Sequence, residues 1–269
     1  MAGGRALLDD IIDAIEAESV AAGKLEVEGK ILEDFLRPSP STAPAAPPPQ
    51  QRRTPPPLQS AAPRMAAPRN QPITPAEIAA LDLDALREAA KTCRQCPLAA
   101  GRRNVVFGAG APDADLMFIG EGPGREEDEQ GVPFVGAAGA LLTKMINAMR
   151  FQRSEVYIAN IVKCRPPGNR NPEDGEADAC LPFLRRQIEL IAPKAIVLLG
   201  AVPLKHLMGK TGITRLHGNW MDYQGIKVIP TFHPAYLLRN PAAKKDAWSD
   251  LQKVMTLFGK TPSAPAPRR

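Results

Sequence analysis

Residues 194–208 read KAIVLLGAVPLKHLM, an apolar run from Lys194 to Gly200 followed by a helical pattern over 202–208. A short buried strand that runs straight into a helix is the building unit of a parallel sheet. The same alternation extends outward in both directions. Strand-like apolar runs recur at 115–120, 156–163 and 227–232, and helical patterns lie at 137–149, 173–191 and 241–257. The pattern predicts an α/β fold, a mostly parallel sheet covered by helices on both faces. Ligands in such folds bind outside the carboxyl ends of the strands. The segments to read for chemistry are therefore GEGPG at 120–124, Asn160 onward, the loop after Gly200, and HPAYLLR at 233–239.

Toward the N-terminus the composition changes. Of the 29 prolines, 13 fall between Pro38 and Pro75, a stretch with no acidic residue. Repeated prolines forbid helix and sheet alike, so residues 37–74 are expected to form a disordered linker. Residues 1–36 carry a net charge of −6, with Leu7, Leu8, Ile11, Ile12 and Ile15 at helical spacing. Ile31, Leu32 and Phe35 continue that stripe after a break at Gly23. An acidic amphipathic helix is expected there, packing on its own domain or docking on a protein partner. Order is expected to resume at Thr74 as an N-cap, with Pro75 at the first helical position, Glu77 completing a capping box, and a helix to about Lys91. The expected organisation is a helical segment at 1–36, a linker at 37–74, a globular domain at 75–260 and a disordered tail at 261–269.

Net charge is +5 overall and +6 over residues 76–269, a balance compatible with DNA but weak by itself. No apolar run approaches the roughly 18–20 residues of a membrane span. Acidic residues interrupt the first apolar segment, which excludes a signal peptide and points to a cytoplasmic, reducing setting. In that setting the four cysteines suggest metal or redox chemistry before disulfides. Cys93 and Cys96 form a close chelating pair in CRQCP, Cys164 follows a strand, and Cys180 lies in or beside the next helix. A buried free thiol would account for Cys180 alone but not for all four. Four thiolates suit structural zinc and an iron–sulfur cluster equally well.

Gly120-Glu121-Gly122-Pro123-Gly124 invites comparison with a dinucleotide fingerprint and fails it. Arg125 occupies the third glycine position, Pro123 lacks an amide, and acidic residues crowd 126–129. Such a turn can instead bring backbone amides against a neutral planar ligand. Phe134, in PFVG, then offers an aromatic face, or is simply core. Asn160 lies within the apolar strand sequence at 157–162, where a buried amide must find partners, either in a local turn or on the edge of a base. His233 is similarly placed, followed by Pro234. His206 reads as structural, and His217 lies in a basic loop within reach of DNA.

Taken in order, CRQC, GEGPGREEDEQGVPFVG, NIVKCRPPGNRNP, Cys180, LLGAVPLKHLMG and HPAYLLR resemble the family 4 uracil-DNA glycosylases over roughly residues 90–258. The resemblance implies a four-stranded parallel sheet between helices, and uracil-containing DNA as the substrate. It implies a 4Fe–4S cluster on Cys93, Cys96, Cys164 and Cys180. Gly120, Glu121 and Gly122 would hold the water near the sugar and line the base pocket, and Phe134 would stack on uracil. Asn160 would pair with uracil N3–H and O4, and His233 would donate to O2. Leu237, Leu238 and Arg239 would enter the DNA stack, and Lys163 and Arg165 would meet the DNA. Glu121, Asn160 and His233 are thus the expected catalytic set, in a monomeric repair enzyme, nucleoid-associated if bacterial.

Two departures fall at one position. The residue after Glu121, usually alanine in this family, is Gly122, where other uracil-DNA glycosylases carry an aspartate. A related branch traps its product covalently through a histidine that residues 165–172 lack, which favours ordinary hydrolysis. Two rival readings are a non-enzymatic DNA-binding module with a four-cysteine metal site, and an interaction protein whose role resides in residues 1–36.

Overall fold

The computed structural model describes residues 73–260, so the expected helix at 1–36, all but the last two residues of the linker, and the tail at 261–269 lie outside the described residues. Helix α1 (Pro75–Ala79) begins as its sequence predicts. Thr74 Oγ1 accepts from the Glu77 amide, and Glu77 Oε2 accepts the Thr74 amide at 2.8 Å. It does not reach Lys91. A second helix, α2 (Leu83–Thr92), starts afresh at Asp82, whose Oδ1 accepts the Ala85 amide at 2.8 Å. An aspartate at that point competes for the amides a continuous helix would need, and the chain takes two caps in place of one long rod.

Next come α3 (Leu98–Gly101), β1 (Ala109–Gly110), β2 (Leu116–Gly120), α4 (Arg125–Gln130), α5 (Ala137–Ala148) and β3 (Tyr157–Asn160). The second half holds α6 (Asp174–Ile191), β4 (Ala195–Leu199), α7 (Ala201–Met208), α8 (Ile213–Leu216), β5 (Met221–Tyr223), β6 (Ile226–Thr231), α9 (Pro234–Arg239) and α10 (Lys244–Leu257). The helix expected over 241–257 opens with a separate 3-10 turn, Pro241–Ala243.

The sheet runs β1-β3-β2-β4-β6-β5. Its four inner strands, β3, β2, β4 and β6, are mutually parallel and are the four expected from the apolar runs. Two short antiparallel edges bring the total to six. β5 and β6 are joined through Gln224 (φ 53°) and Gly225 (φ 86°), a positive-φ pair of the kind that closes tight hairpins. Edges of two and three residues carry no readable period, so the sequence pattern missed them.

Alternation along the strands feeds two cores. Met117, Ile119, Tyr157, Ile196 and Leu198 pack against α6 and α7 through Leu181, Leu184, Ile188 and Leu204. Leu116, Phe118, Ile158, Val197 and Ile229 pack against α5 and α10 through Leu142, Ile146, Leu251 and Val254. A third cluster, Ile78, Leu86, Ala90, Phe107 and Phe183, seats α1 and α2 on α6. Because β3 and β4 flank β2 on opposite sides, the chain changes direction across the sheet at β2. A crevice is expected at the carboxyl ends of these strands. Among the described residues no helix is long and apolar enough to cross a membrane.

Candidate active site

The parallel register sets Gly120 of β2 directly beside Asn160 of β3. Pairing continues past the strand ends, where Ile161 donates to the Gly120 carbonyl and Val162 to that of Glu121. A Cβ on Gly120 would lie 2.5 Å from Asn160 Oδ1 and 2.5 Å from Phe134 Cζ, so glycine is what lets the three residues converge. Gly200, at the end of β4 with φ 96°, makes similar room for His233, whose Cβ would lie 3.1 Å from a Cβ placed there.

Asn160 is 1% exposed, and its Oδ1 is the one buried side-chain polar atom among the described residues without a hydrogen-bond partner. Leaving such an acceptor unpaired costs about 1–3 kcal/mol, an expense that points to a ligand donor. The buried Phe134 ring has its centroid 5.6 Å from that of His233. His233 caps α9: its Nδ1 accepts the Ala235 amide at 3.1 Å. Nδ1 is thereby committed as an acceptor, and the neutral ring carries its proton on Nε2. Burial, with Arg239 adding to it and Glu127 opposing it, pushes the imidazole down to about 4. His233 is therefore a neutral N–H donor at physiological pH. Burial also pushes the Glu121 carboxyl upward, consistent with a half-enclosed carboxylate at the rim.

A second site lies on the α6 side of the sheet. Cys93 caps the end of α2, Cys96 precedes α3, Cys164 follows β3, and Cys180 is on α6. All four are free thiols and line one small cavity with Arg102, Lys163 and Phe183. Arg102 Nη1 donates to Cys164 Sγ at 3.2 Å, and the Lys163 amide donates to Cys180 Sγ at 3.3 Å. Among the described residues no three His, Cys, Asp or Glu side chains converge on a point that would hold a single metal ion.

Residues 107–252 match the sequence model of the uracil-DNA glycosylase superfamily. The chain belongs to that superfamily. It is 46% identical over 183 residues to the type-4 uracil-DNA glycosylase of Thermotoga maritima, covering 66% of this chain and 95% of that protein. It is 45% identical over 185 residues to the type-4 enzyme of Sulfurisphaera tokodaii, covering 65% of this chain and 84% of that protein. A third relative, the type-4 uracil-DNA glycosylase of Saccharolobus solfataricus, is 41% identical over 191 residues, covering 67% and 88%.

Within this glycosylase domain the expected residues fall into three groups. Gly120, Glu121, Phe134, Asn160 and His233 gather at the strand ends as described, and Gly122 adjoins them beside Val162, 2.7 Å from where its Cβ would lie. On α9, Leu237 is 2% exposed and belongs to the core, whereas Leu238 is 45% exposed and Arg239 also faces solvent. Of the two leucines expected in the DNA stack, only Leu238 is free to enter it. Arg165 is partly exposed and holds Asn169 Oδ1 at 2.7 Å.

Lys163 is a correction. Expected to meet DNA, it is 2% exposed, its ammonium bonded to the Asn160 carbonyl at 2.9 Å and Gln187 Oε1 at 2.6 Å. The segment after β3 turns its side chain inward under α6, where Gln187, also bonded to the Phe107 carbonyl and Tyr157 hydroxyl, receives it. Burial pushes this ammonium down to about 8. His217, read as within reach of DNA, sets Nδ1 3.0 Å from Asp250 Oδ2 and its ring 4.6 Å from that of Phe232. Thr231 donates to the same carboxylate oxygen at 2.8 Å, so His217 helps support the end of β6. The largely buried His206 side chain sets Nε2 3.6 Å from Asp174 Oδ1.

Sequence reading missed Gln187, Asp250, Glu127 and Arg153. Gln187 and Asp250 carried a weak signal as polar residues on otherwise apolar helix faces. Glu127 stands three residues after Gly124, the spacing of a capping box, but an acidic run at 126–129 masks it in the sequence.

Proposed function

We propose that this chain excises uracil from DNA by hydrolysing the C1′–N1 bond, releasing free uracil and an abasic site for repair. Membership in the superfamily and the likeness to type-4 enzymes support the reaction class. The observation that carries the residue assignment is the unpartnered, buried Asn160 Oδ1 beside an aromatic ring and a neutral His233. Flipping the nucleotide out costs a few kcal/mol, which entry of Leu238 into the stack helps offset. The extrahelical base stacks on Phe134. Asn160 accepts from N3–H and donates to O4; cytosine presents the reverse pattern and is rejected. As the bond breaks, negative charge grows on uracil and positive charge on the sugar. His233 Nε2–H donates to O2, in the manner of an oxyanion hole. Glu121 orients the water and stabilises the cationic sugar. The hydroxyl of that water joins C1′, and its proton leaves with the base.

A uracil-containing labelled oligonucleotide, heated in alkali after incubation with the protein, is expected to break at the uracil position. Breakage no greater than in a uracil-free control, with binding retained, would make the chain a DNA-binding module instead.

The four cysteines are proposed to hold a 4Fe–4S cluster. One zinc would draw its sulfurs to within about 3.8 Å of one another, given Zn–S bonds near 2.3 Å. Thiols spread around a cavity, with N–H donors aimed at two sulfurs, suit a cluster in which each cysteine binds its own iron. Held by Cys93, Cys96, Cys164 and Cys180, such a cluster would join residues 93–96 to the segment after β3 and to α6. The purified protein is expected to be brown and to contain about four irons per chain, falling in the Cys96→Ser variant. Stoichiometric zinc in a colourless protein would refute the assignment. The reading carries with it a monomer acting in the cytoplasm, with the glycosylase domain over residues 75–260.

A further inference from the structure

Two charged side chains outside the expected set hold the turn at 133–136, one through its amides and the other through its carbonyls. Glu127, on α4, accepts with Oε1 from the Val135 amide at 2.9 Å and the Gly136 amide at 3.0 Å. Its Oε2 accepts the Gly124 amide at 3.0 Å, so one carboxylate joins the glycine turn after β2 to the turn that carries Phe134. Arg153 approaches from the loop before β3. Its Nη2 donates to the carbonyls of Pro133 at 2.6 Å and Phe134 at 3.0 Å, and its Nη1 to Thr143 Oγ1 at 3.0 Å. Every backbone polar group that these two residues engage at 133–136 lies within two residues of Phe134.

Phe134 needs such a hold. Its φ of 54° lies in the left-handed region, which disfavours a bulky residue by about 1–3 kcal/mol and persists only where the surroundings overdetermine it. Released, the backbone would relax to negative φ and carry the ring away from Gly120 and His233. The turn also rests directly on α5, where a Cβ on Gly139 would meet the Phe134 carbonyl at 2.0 Å. Downward relaxation is thereby blocked, and the hydrogen bonds from the two sides determine where the ring points.

We propose that Glu127 and Arg153 are positioning residues for base recognition, acting through Phe134 by clamping its turn in the left-handed conformation. The proposal rests on the reading that Phe134 stacks on the base, and a double-mutant cycle separates the two. kcat and KM for uracil release would be measured for Phe134→Ala, Glu127→Ala, Arg153→Ala and each pair with Phe134→Ala, below the melting temperature of every variant. Glu127→Ala and Arg153→Ala are each expected to lower kcat/KM by about 10²-fold, the usual consequence of ångström-scale misplacement. In the Phe134→Ala background either substitution is expected to change kcat/KM by less than about threefold. Glu127→Gln and Arg153→Lys, which keep part of each hydrogen-bond set, are expected to recover part of the loss. They carry the cycle if an alanine variant does not fold. Losses that multiply fully in the double variants would overturn the clamp. Wild-type kcat/KM in Phe134→Ala would instead overturn the stacking role, and the clamp with it.

Discussion

Alanine in place of His233 is expected to slow uracil release by about 10²–10³-fold, the loss found when one donor to a developing oxyanion is removed. The physical reason lies in the ring's two nitrogens. Nδ1 is committed to the Ala235 amide, leaving Nε2–H for the base. The cap itself is worth only about 1 kcal/mol, so the melting temperature should fall little while single-turnover excision collapses. A variant with near wild-type rate would remove His233 from the chemistry. The sign of the pH dependence follows from burial. The folded imidazole lies at about 4, below its ordinary 6.5. Between those values the unfolded chain binds a proton that the folded one does not. His233 therefore makes stability fall as pH drops from about 6.5 to 4, by at most about 3 kcal/mol. Urea unfolding across that window should show the slope in the wild type and a reduced slope in His233→Ala.

The second large effect is expected from one added methyl group. In Gly120→Ala the new Cβ would lie 2.5 Å from Asn160 Oδ1 and from Phe134 Cζ, the first fixed by the pairing of β2 with β3 and the second by the turn at 133–136. Overpacking of this kind costs about 1–3 kcal/mol. Relief requires Asn160 or Phe134 to move, which should lower kcat/KM by about 10²-fold. Gly175→Ala is the matched control. That exposed residue of α6 has open space where a Cβ would sit, and it should leave both rate and melting temperature close to wild type. Equal losses in the two variants would mean that Gly120 matters only as a generic glycine.

Much of the site was legible because parallel strands deliver their chemistry at predictable places. Asn160 and His233 stood out as polar residues where apolar runs end, and Gly120 as part of a turn that failed the dinucleotide pattern. The neighbouring Leu237 and Leu238 were indistinguishable by sequence. Successive residues on a helix point about 100° apart, and only the packing of α9 on the core decides which is buried. Lys163 misled for a related reason: a lysine beside strand ends reads as a DNA contact unless the distant Gln187 that receives its ammonium is known. The Glu127–Arg153 arrangement was invisible because its parts lie in separate segments and meet only at the 133–136 turn.

Periodicity, caps and the ordered motifs are local, and by themselves they determined the α/β class, the four parallel strands and the strand ends that carry the chemistry. The convergence of Gly120, Phe134, Asn160 and His233 depends on register between strands distant in sequence. The tautomer of His233 depends on where α9 begins, and the grouping of four thiols around one cavity on how α6 crosses the sheet. Only the tertiary structure decides these, because each is a contact between segments whose separation along the chain carries no sign of their proximity in space.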